Sequence, residues 1–430
     1  MNKRNSRESS SIIKKEDREL RRKLLKEGIE IRLYWTDAVW ASGLALMFIA
    51  SFELFYRMIV KYNGKYPSDV GAFTHRVVTN GEIHTRFVET LFQVFYDLNH
   101  STSEMNIYLA AVIVAILILN FVVVRFFLKR EGIYDSIPRR IVQAASFAAL
   151  FTGPIYFPVL HEWFYLHSFC SFAWHSPSYQ SMVMFSLASM LCFFAMFLDY
   201  EEGISIRWWI AAAVTGLLSA YVKPSHIIDF IPAMVILFLI ELFSDGKEGI
   251  RRKFPKLFVM GCALIPAGIY TLWLNTMEFG DVTKDGEEHH VIIGLHVMLS
   301  HKGVLTAFVF GITFAIIVFA VNFKKIKDNK YLLTLLVFLM GVVQWSFVTE
   351  SGENAKHGNF DWGMMFGCYF ITLASYALML WNIYDRDSVF GGDRKKRRIY
   401  FIVLGVVLTL SILSQLNYFM IILSGRSYMR

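Results

Sequence analysis

The sequence predicts an all-α, polytopic membrane protein, and two observations lead to that fold class. Residues 37–60 form an apolar run, which is long enough to cross a hydrocarbon core of about 30 Å at about 1.5 Å of helical rise per residue. In addition, 55% of the residues are hydrophobic and 16% are aromatic, a composition that favours a membrane protein over a soluble one. We therefore predict one transmembrane domain over residues 37–430, without a separate soluble domain.

Apolar runs of similar length recur along the chain. They predict about eleven spans, near residues 37–60, 106–128, 141–160, 179–198, 207–222, 227–243, 257–276, 304–323, 331–349, 362–383 and 399–424. An odd number of spans puts the two termini on opposite sides of the membrane.

The Lys and Arg residues predict the orientation of the chain. With a cytoplasmic N-terminus, 31 of the 43 Lys and Arg residues fall in segments on the cytoplasmic side. These segments are 1–36, 129–140, 199–207, 244–256, 324–330 and 384–398. Because cytoplasmic loops carry such an excess in multi-pass proteins, we predict a plasma (inner) membrane protein with an external C-terminus.

The basic N-terminal segment, residues 1–36, precedes the first span. Its Lys and Arg residues alternate with apolar ones, which is typical of an amphipathic helix that lies on the inner leaflet. A solvated helix that only fixes the orientation has the same pattern. The net charge of +8 thus indicates topology and contact with anionic membrane lipids, and not nucleic-acid binding.

Histidines and in-span acids point to the external side. On the predicted topology all twelve histidines lie in external loops or at outer span ends. Either the short inner loops select Lys and Arg, or the outer face holds a site for phosphate, a metal or protons. Glu53 lies in the outer half of the first span and Asp229 near an outer turn. Such residues usually face a cavity or the bundle interior, so we predict a site at the outer leaflet.

The first external loop, residues 61–105, is the longest. Its stretch KYPSDVGAFTH, residues 65–75, contains Asp69 and His75. Ser68 is a natural helix N-cap and the helix dipole favours Asp69 in the first turn, so capping and catalysis both account for this aspartate. The amphipathic stretch that follows predicts a short helix, either on the membrane surface or packed against the bundle.

The second segment, residues 161–179, has three histidines, among them His175, and several aromatic residues. Its HEWFY sequence departs from the H-E-x-x-H zinc motif because Tyr165 stands at the second histidine position, which excludes a metalloprotease of that type. An aromatic rim with histidines suits a carbohydrate, whose ring faces stack on aromatic side chains. A packed loop core explains the aromatics equally well.

The third segment, YVKPSHIIDF, is a tight turn between two predicted spans. Ser225 is expected to cap the helix that follows Pro224. Lys223, Ser225, His226 and the first N–H groups of that helix would converge on one anion, such as a phosphate. The alternative is a lysine that snorkels beside a capped turn.

The fourth segment is divided between residues 281–301 and 349–363. The first part has the sequence EEHH, and the second combines several polar residues that include Glu350 and His357. Adjacent residues do not define a metal geometry, so the cofactor stays unknown, with a divalent metal as one possibility.

Taken together, a first span, a long external loop with YPSD and about ten further spans resemble the GT-C superfamily of membrane glycosyltransferases. The stretches HSPSY, KPSH and E-x-G-E followed by HGNF-x-WG resemble those of bacterial members with uncharacterised substrates. The resemblance implies a polyprenyl-phosphate-linked sugar donor, a carbohydrate or lipid-linked acceptor, and transfer at the extracytoplasmic face. It also assigns the acidic catalytic residue of the first external loop to Asp69.

The chemistry of such a transfer gives each candidate a role. Asp69 would act as general base on the acceptor while the sugar carbon gains oxocarbenium character. Lys223 and His226 would stabilise the departing phosphate, and His75, His175 and His357 would contact acceptor or phosphate. Three alternatives stay open: a lipid-linked polysaccharide polymerase or ligase, a transporter or flippase of lipid-linked saccharide, and a non-catalytic scaffold.

Overall fold

The described part of the chain is folded almost entirely into helices. The computed structural model describes residues 35–60, 87–99, 102–131, 137–156, 176–278, 290–295, 304–351, 360–384, 389–390 and 392–425. The helices in these ranges are α1 (Trp35–Val60), α2 (Phe87–Asn99), α3 (Thr102–Glu131), α4 (Arg139–Phe151), α5 (Pro177–Asp199), α6 (Ile206–Val222), α7 (Ser225–Phe243), α8 (Gly246–Cys262), α9 (Ile265–Glu278), α10 (Val304–Val321), α11 (Asn329–Phe347), α12 (Asp361–Tyr384) and α13 (Arg394–Leu423). A 3₁₀ turn (Phe323–Lys327) and two strands, β1 (Val291–Ile293) and β2 (Val348–Glu350), complete them.

Eight of the described helices are long and apolar enough to cross a membrane: α1, α3, α5, α7, α10, α11, α12 and α13. Helices α8 and α9 form a pair, bent by 49°, that counts as a ninth. Helices α4 and α6 are apolar but shorter. The class of an all-α, multi-pass membrane protein is therefore confirmed, whereas the count of eleven spans stays a prediction. The basic segment ahead of Trp35 lies outside the described residues.

Helix α12 is the centre of the bundle. It packs against α11, α10, α7, α4 and α3, and its membrane-spanning part is buried on all sides. Glycines let α11 approach it closely: a Cβ at Gly341 would lie 2.8 Å from the Cα of Met364, and one at Gly367 would lie 2.8 Å from the Cα of Phe338. Small residues allow such backbone approach between membrane helices.

Helix α4 differs from its prediction. The run 141–160 was expected to be one helical span, but the helix ends at Phe151 and residues 152–156 continue in non-helical conformation. Its end lies deep in the bundle, because the Thr152 hydroxyl is 2.6 Å from that of Tyr376 in the middle of α12. Two serines of α13 satisfy the irregular backbone: the N–H of Gly153 donates to Ser411 Oγ at 3.1 Å and that of Tyr156 to Ser414 Oγ at 3.0 Å. Such backbone is tolerated at membrane depth only where protein or water satisfies it.

Side-chain contacts divide the helix ends into two groups. We call the group around Lys223 and Trp362 the site end. The opposite end holds Glu241, whose Oε1 accepts hydrogen bonds from Tyr200 at 2.6 Å and Lys253 at 2.8 Å. Helix α6 joins the two ends, since it follows Tyr200 and is followed directly by Lys223. Its 17 residues correspond to about 25 Å of helical rise, which is compatible with one crossing.

The opposite end also carries an ion-pair network. Lys253 is almost fully buried, and its ammonium contacts Asp245 Oδ2 at 2.9 Å in addition to Glu241. The hydrogen bond from Lys253 holds the pKa of Asp245 below its ordinary value. Arg252 pairs with the same carboxylate at 3.1 Å. The network ties the turn between α7 and α8 to the end of α5.

The strands were not expected from the sequence. They pair antiparallel, with Val291 opposite Glu350 and Ile293 opposite Val348. Beyond the strands, the N–H of Ser351 donates to the carbonyl of His290 at 2.9 Å. The ribbon thus joins the two parts of the fourth polar segment, 281–301 and 349–363.

Helix α2 confirms the short amphipathic helix expected in the long first loop. It packs against α3, α5 and α6, with Phe92 buried and the Thr90 hydroxyl 3.1 Å from that of Tyr221. The packing interpretation is therefore correct for the described part of that loop. Val94, in contrast, is exposed.

The expectation that Glu53 faces the interior is wrong. Its side chain is 47% exposed and pairs with Arg57 at 2.6 Å, one helical turn further along α1. An ion pair between neighbouring turns lowers the cost of both charges on the helix surface.

Candidate functional site

Lys223 lies where α6 ends, and its ammonium is held against α12. The Nζ atom lies 3.7 Å from the centroid of the Trp362 ring, a cation–π geometry worth about 0.5–2 kcal/mol. Lys223 also interacts electrostatically with Asp361, which begins α12. Trp362 in turn packs against Tyr179 of α5, with ring centroids 5.5 Å apart. Three helices thus fix one partly buried cation at the site end.

The turn that follows Lys223 differs from the expected cap. Pro224 is the N-cap of α7 and no side chain caps the helix; Ser225 is already its first helical residue. The capping prediction for Ser225 was wrong because the proline has a helix-like φ of −71° and ψ of −13°, which lets the helix begin one residue earlier. The Ser225 side chain is buried.

His226 lies behind the turn and not at its surface. It is completely buried, with its ring centroid 4.9 Å from that of Phe230 and 4.6 Å from that of Phe366. Neither ring nitrogen has a hydrogen-bond partner in the described structure. This position suits support of the turn through aromatic packing rather than contact with a ligand at the mouth.

Asp229 lies one helical turn below Ser225 and faces the bundle interior, as the sequence predicted for an in-span acid. It is 1% exposed, and neither carboxylate oxygen has a hydrogen-bond partner in the described structure. A Cβ added to Gly363 would clash with Oδ2 of Asp229 and also with Oε1 of Gln344. The carboxyl group and the amide therefore meet at the small surface of Gly363.

The contact between Asp229 and Gln344 brings oxygen atoms together and needs a donor. Oε1 of Gln344 likewise has no partner in the described structure. Either a proton on Asp229 or a rotated Gln344 amide group would supply that donor. With such a donor, the two side chains would join α7 and α11 beside Gly363 of α12.

Glu350 approaches the site end from the ribbon. It is 4% exposed and follows Thr349, which is also buried. Pairing of β2 with β1 fixes the backbone of Glu350 opposite Val291. The structure thus places Glu350 just beyond the end of α11, and its role stays a prediction.

Four candidates lie outside the described residues: Asp69, His75, His175 and His357. Their roles stay predictions. Within the described part of the chain, no group of three or more His, Cys, Asp or Glu side chains could hold a metal ion. The described residues of the site end thus offer one fixed cation and buried acids.

In the sequence, Trp362 and Gly363 were recognised only as part of the HGNF-x-WG stretch, with no predicted role, and no prediction included Gln344. The signal available was the glycine of the DWG tripeptide at the start of α12, because small residues let membrane helices approach closely. Gln344 had no such signal, since its importance comes from its place on α11 beside Gly363.

Comparisons of the chain with protein-family models, with curated proteins and with solved structures found no match.

Proposed function

We propose that this protein is a membrane glycosyltransferase that transfers a sugar from a polyprenyl-phosphate-linked donor to an acceptor at the extracytoplasmic face. The observation that carries the proposal is the fixed position of Lys223 at the junction of two membrane helices, against Trp362 and beside Asp361. A lipid-linked phosphate presents its charge at the depth of helix ends, where an ammonium can bind it. The resemblance to GT-C enzymes supplies the reaction type.

The proposal includes eleven spans with the N-terminus in the cytoplasm and the site end outside. The grouping of helix ends supports this alternation. Tyr221 at the site end of α6 contacts Tyr270 of α9, with ring centroids 6.0 Å apart, whereas Lys253 of α8 lies at the opposite end. The bent pair α8–α9 therefore connects the two ends, as one span would.

Each residue has a distinct role in this mechanism. Lys223 binds the phosphate of the donor and stabilises the charge that develops on it as the glycosidic bond breaks. Asp69 accepts the proton of the acceptor hydroxyl. His226 supports the turn by packing against Phe230, and Ser225 contributes its backbone N–H at the start of α7. Glu350, His75, His175 and His357 remain candidates for acceptor contacts.

The role of Lys223 is tested by binding of a polyprenyl phosphate to purified protein. Lys223→Ala should weaken binding about 10-fold or more, because a charge-assisted hydrogen bond contributes about 1.5–3 kcal/mol. Lys223→Arg keeps the charge and should bind within a few-fold of the wild type. Equal binding by the alanine variant, in protein that elutes as wild type from a sizing column, would leave Lys223 only the role of a snorkelling side chain.

A transporter or flippase of lipid-linked saccharide is the second candidate, and the end of α4 deep in the bundle favours it. Interrupted helices in transporters line substrate paths near the middle of the bilayer, and Thr152 lies deep in the bundle beside Tyr376. The two functions differ in their product. Wild-type protein in liposomes should transfer the sugar from its lipid phosphate to the hydroxyl of an added acceptor if it is a transferase, whereas a flippase would move the intact donor between leaflets.

A further inference from the structure

A second cluster of cations lies at the opposite end of the bundle, far along the chain from Lys223. A shallow cavity of about 460 Å³ is lined by Arg394, Arg397, Arg398, Phe401 and Ile402. All five belong to the first turns of α13. The cavity is thus lined by three guanidinium groups and two apolar side chains of the same helix.

Charge in this cavity is not neutralised by the described part of the chain. Neither Arg394 nor Arg398 forms an ion pair with a carboxylate among the described residues, and Arg397 donates to the backbone carbonyl of Ile383. The neighbouring Asp393 interacts with Lys396. Its carboxylate accepts a hydrogen bond from the backbone N–H of Lys396 at 3.0 Å and forms an ion pair with the Lys396 ammonium at 3.4 Å. Among the described residues, an anion in the cavity would therefore meet little competition.

The cavity lined by Lys247, Glu248, Arg251 and Arg252 is a useful contrast. It includes a carboxylate of its own, and Arg252 also pairs with Asp245 at 3.1 Å and with Glu201 at 3.6 Å. That cluster is internally compensated. The Arg394 cavity lacks such compensation within the described residues.

The apolar border of the cavity continues along α13. Ile399, Ile402 and Val406 are each more than half exposed, on a helix long and apolar enough to cross the membrane. A side chain exposed on such a helix faces lipid. The arginines therefore lie at the level of headgroups, with acyl chains beside the residues that follow.

We propose that the Arg394–Arg397–Arg398 cavity binds the phosphate of an anionic phospholipid, whose acyl chains lie along Ile402 and Val406. The planar guanidinium fork matches phosphate oxygens better than an ammonium does. These arginines lie at the N-terminus of α13, where the positive end of the helix dipole also stabilises an anion. The site is independent of the glycosyltransfer proposed above and does not depend on which side of the membrane it faces.

The test is thermal stability of the purified full-length protein in detergent, titrated with phosphatidylglycerol or with phosphatidylcholine. Phosphatidylglycerol should raise Tm in a saturable way and phosphatidylcholine should not. Arg394→Gln with Arg398→Gln should weaken apparent affinity for phosphatidylglycerol about 100-fold, at about 10-fold for each lost charge-assisted contact. Lys395→Gln with Lys396→Gln removes the same charge from residues that do not line the cavity and should lose less than 3-fold.

Two outcomes would overturn the proposal. If the two double variants lose the same affinity for phosphatidylglycerol, the lipid binds through general surface charge and not in the cavity. Inorganic phosphate that gives the same Tm shift, with the same dependence on Arg394 and Arg398, would mean that the cavity binds free phosphate and not a lipid. Arg398→Lys keeps the positive charge but removes the planar guanidinium group, so a partial loss of affinity for phosphatidylglycerol is expected. All variants should match the wild-type Tm in phosphatidylcholine, because these side chains are mostly exposed.

Discussion

At Gly363 the absence of a side chain lets Asp229 and Gln344 meet between three helices. A buried polar group costs free energy unless it forms a hydrogen bond, and neither the Asp229 carboxylate nor Oε1 of Gln344 has a partner among the described residues. Asp229 could be predicted from the sequence, because an acid in an apolar run stands out. Gln344 and Gly363 could not, since their contact depends on how α11 packs on α12.

Gly363→Ala should destabilise the protein by about 1–3 kcal/mol, because the added methyl group forces apart polar atoms in a tightly packed core. Gly405→Ala is the matched control: a Cβ there meets nothing within 4 Å, and alanine favours a helix more than glycine does. Thermal unfolding in one detergent measures both. A Gly363→Ala variant as stable as Gly405→Ala would contradict the close contact.

At the scale of elements, the sequence predicted well where apolar helices occur and predicted poorly where they end. The eleven apolar runs all contain helix, yet the run 141–160 ends its helix at Phe151. With the structure known, the end of this helix can be traced to the sequence Thr152, Gly153 and Pro154. A proline disfavours helical conformation in the residue before it. Hydropathy alone does not show this break, because irregular backbone becomes possible only through hydroxyl partners on α13. The ribbon of β1 and β2 was likewise hidden in segments that looked like loops.

Ser411→Ala should cost about 1–3 kcal/mol, because it leaves the buried N–H and carbonyl of Gly153 without the Ser411 hydroxyl, and an unsatisfied buried group has about that penalty. Ser375→Ala removes an equally buried hydroxyl whose hydrogen bond, among the described residues, goes to the carbonyl of Ile371 within its own helix. That control should cost clearly less. Equal costs would mean that Ser411 does not stabilise the irregular backbone that follows α4.

At the scale of the whole molecule, the distribution of Lys and Arg predicts that successive helices run in alternating directions. The contacts between helix ends are consistent with that alternation. Lys223, Trp362 and Tyr179 lie together at one end, while Lys253, Glu241 and Tyr200 lie together at the other. The sequence could not predict these partners, because contacts between distant helices depend on packing. That a site gathers at the end that holds Lys223 stays a prediction, since charged groups also gather at the opposite end.

Cysteine labelling tests the orientation. In a variant whose four native cysteines are replaced by alanine, Asp285→Cys should react with a membrane-impermeant maleimide applied to intact cells. Lys395→Cys should react only after the membrane is permeabilised. Labelling of both positions from outside would contradict the topology and, with it, an external site end.

The central claim, that a carboxylate of the first external loop acts as base in sugar transfer, is tested most directly by Asp69→Asn. Purified wild type and variant should be compared for transfer from a polyprenyl-phosphate-linked sugar donor, with Ser68→Ala as the control for helix capping. Loss of the base should lower the rate about 10²–10⁴-fold while donor binding is retained, and Ser68→Ala should keep most of the activity. Equal rates for Asp69→Asn and wild type would contradict the assignment.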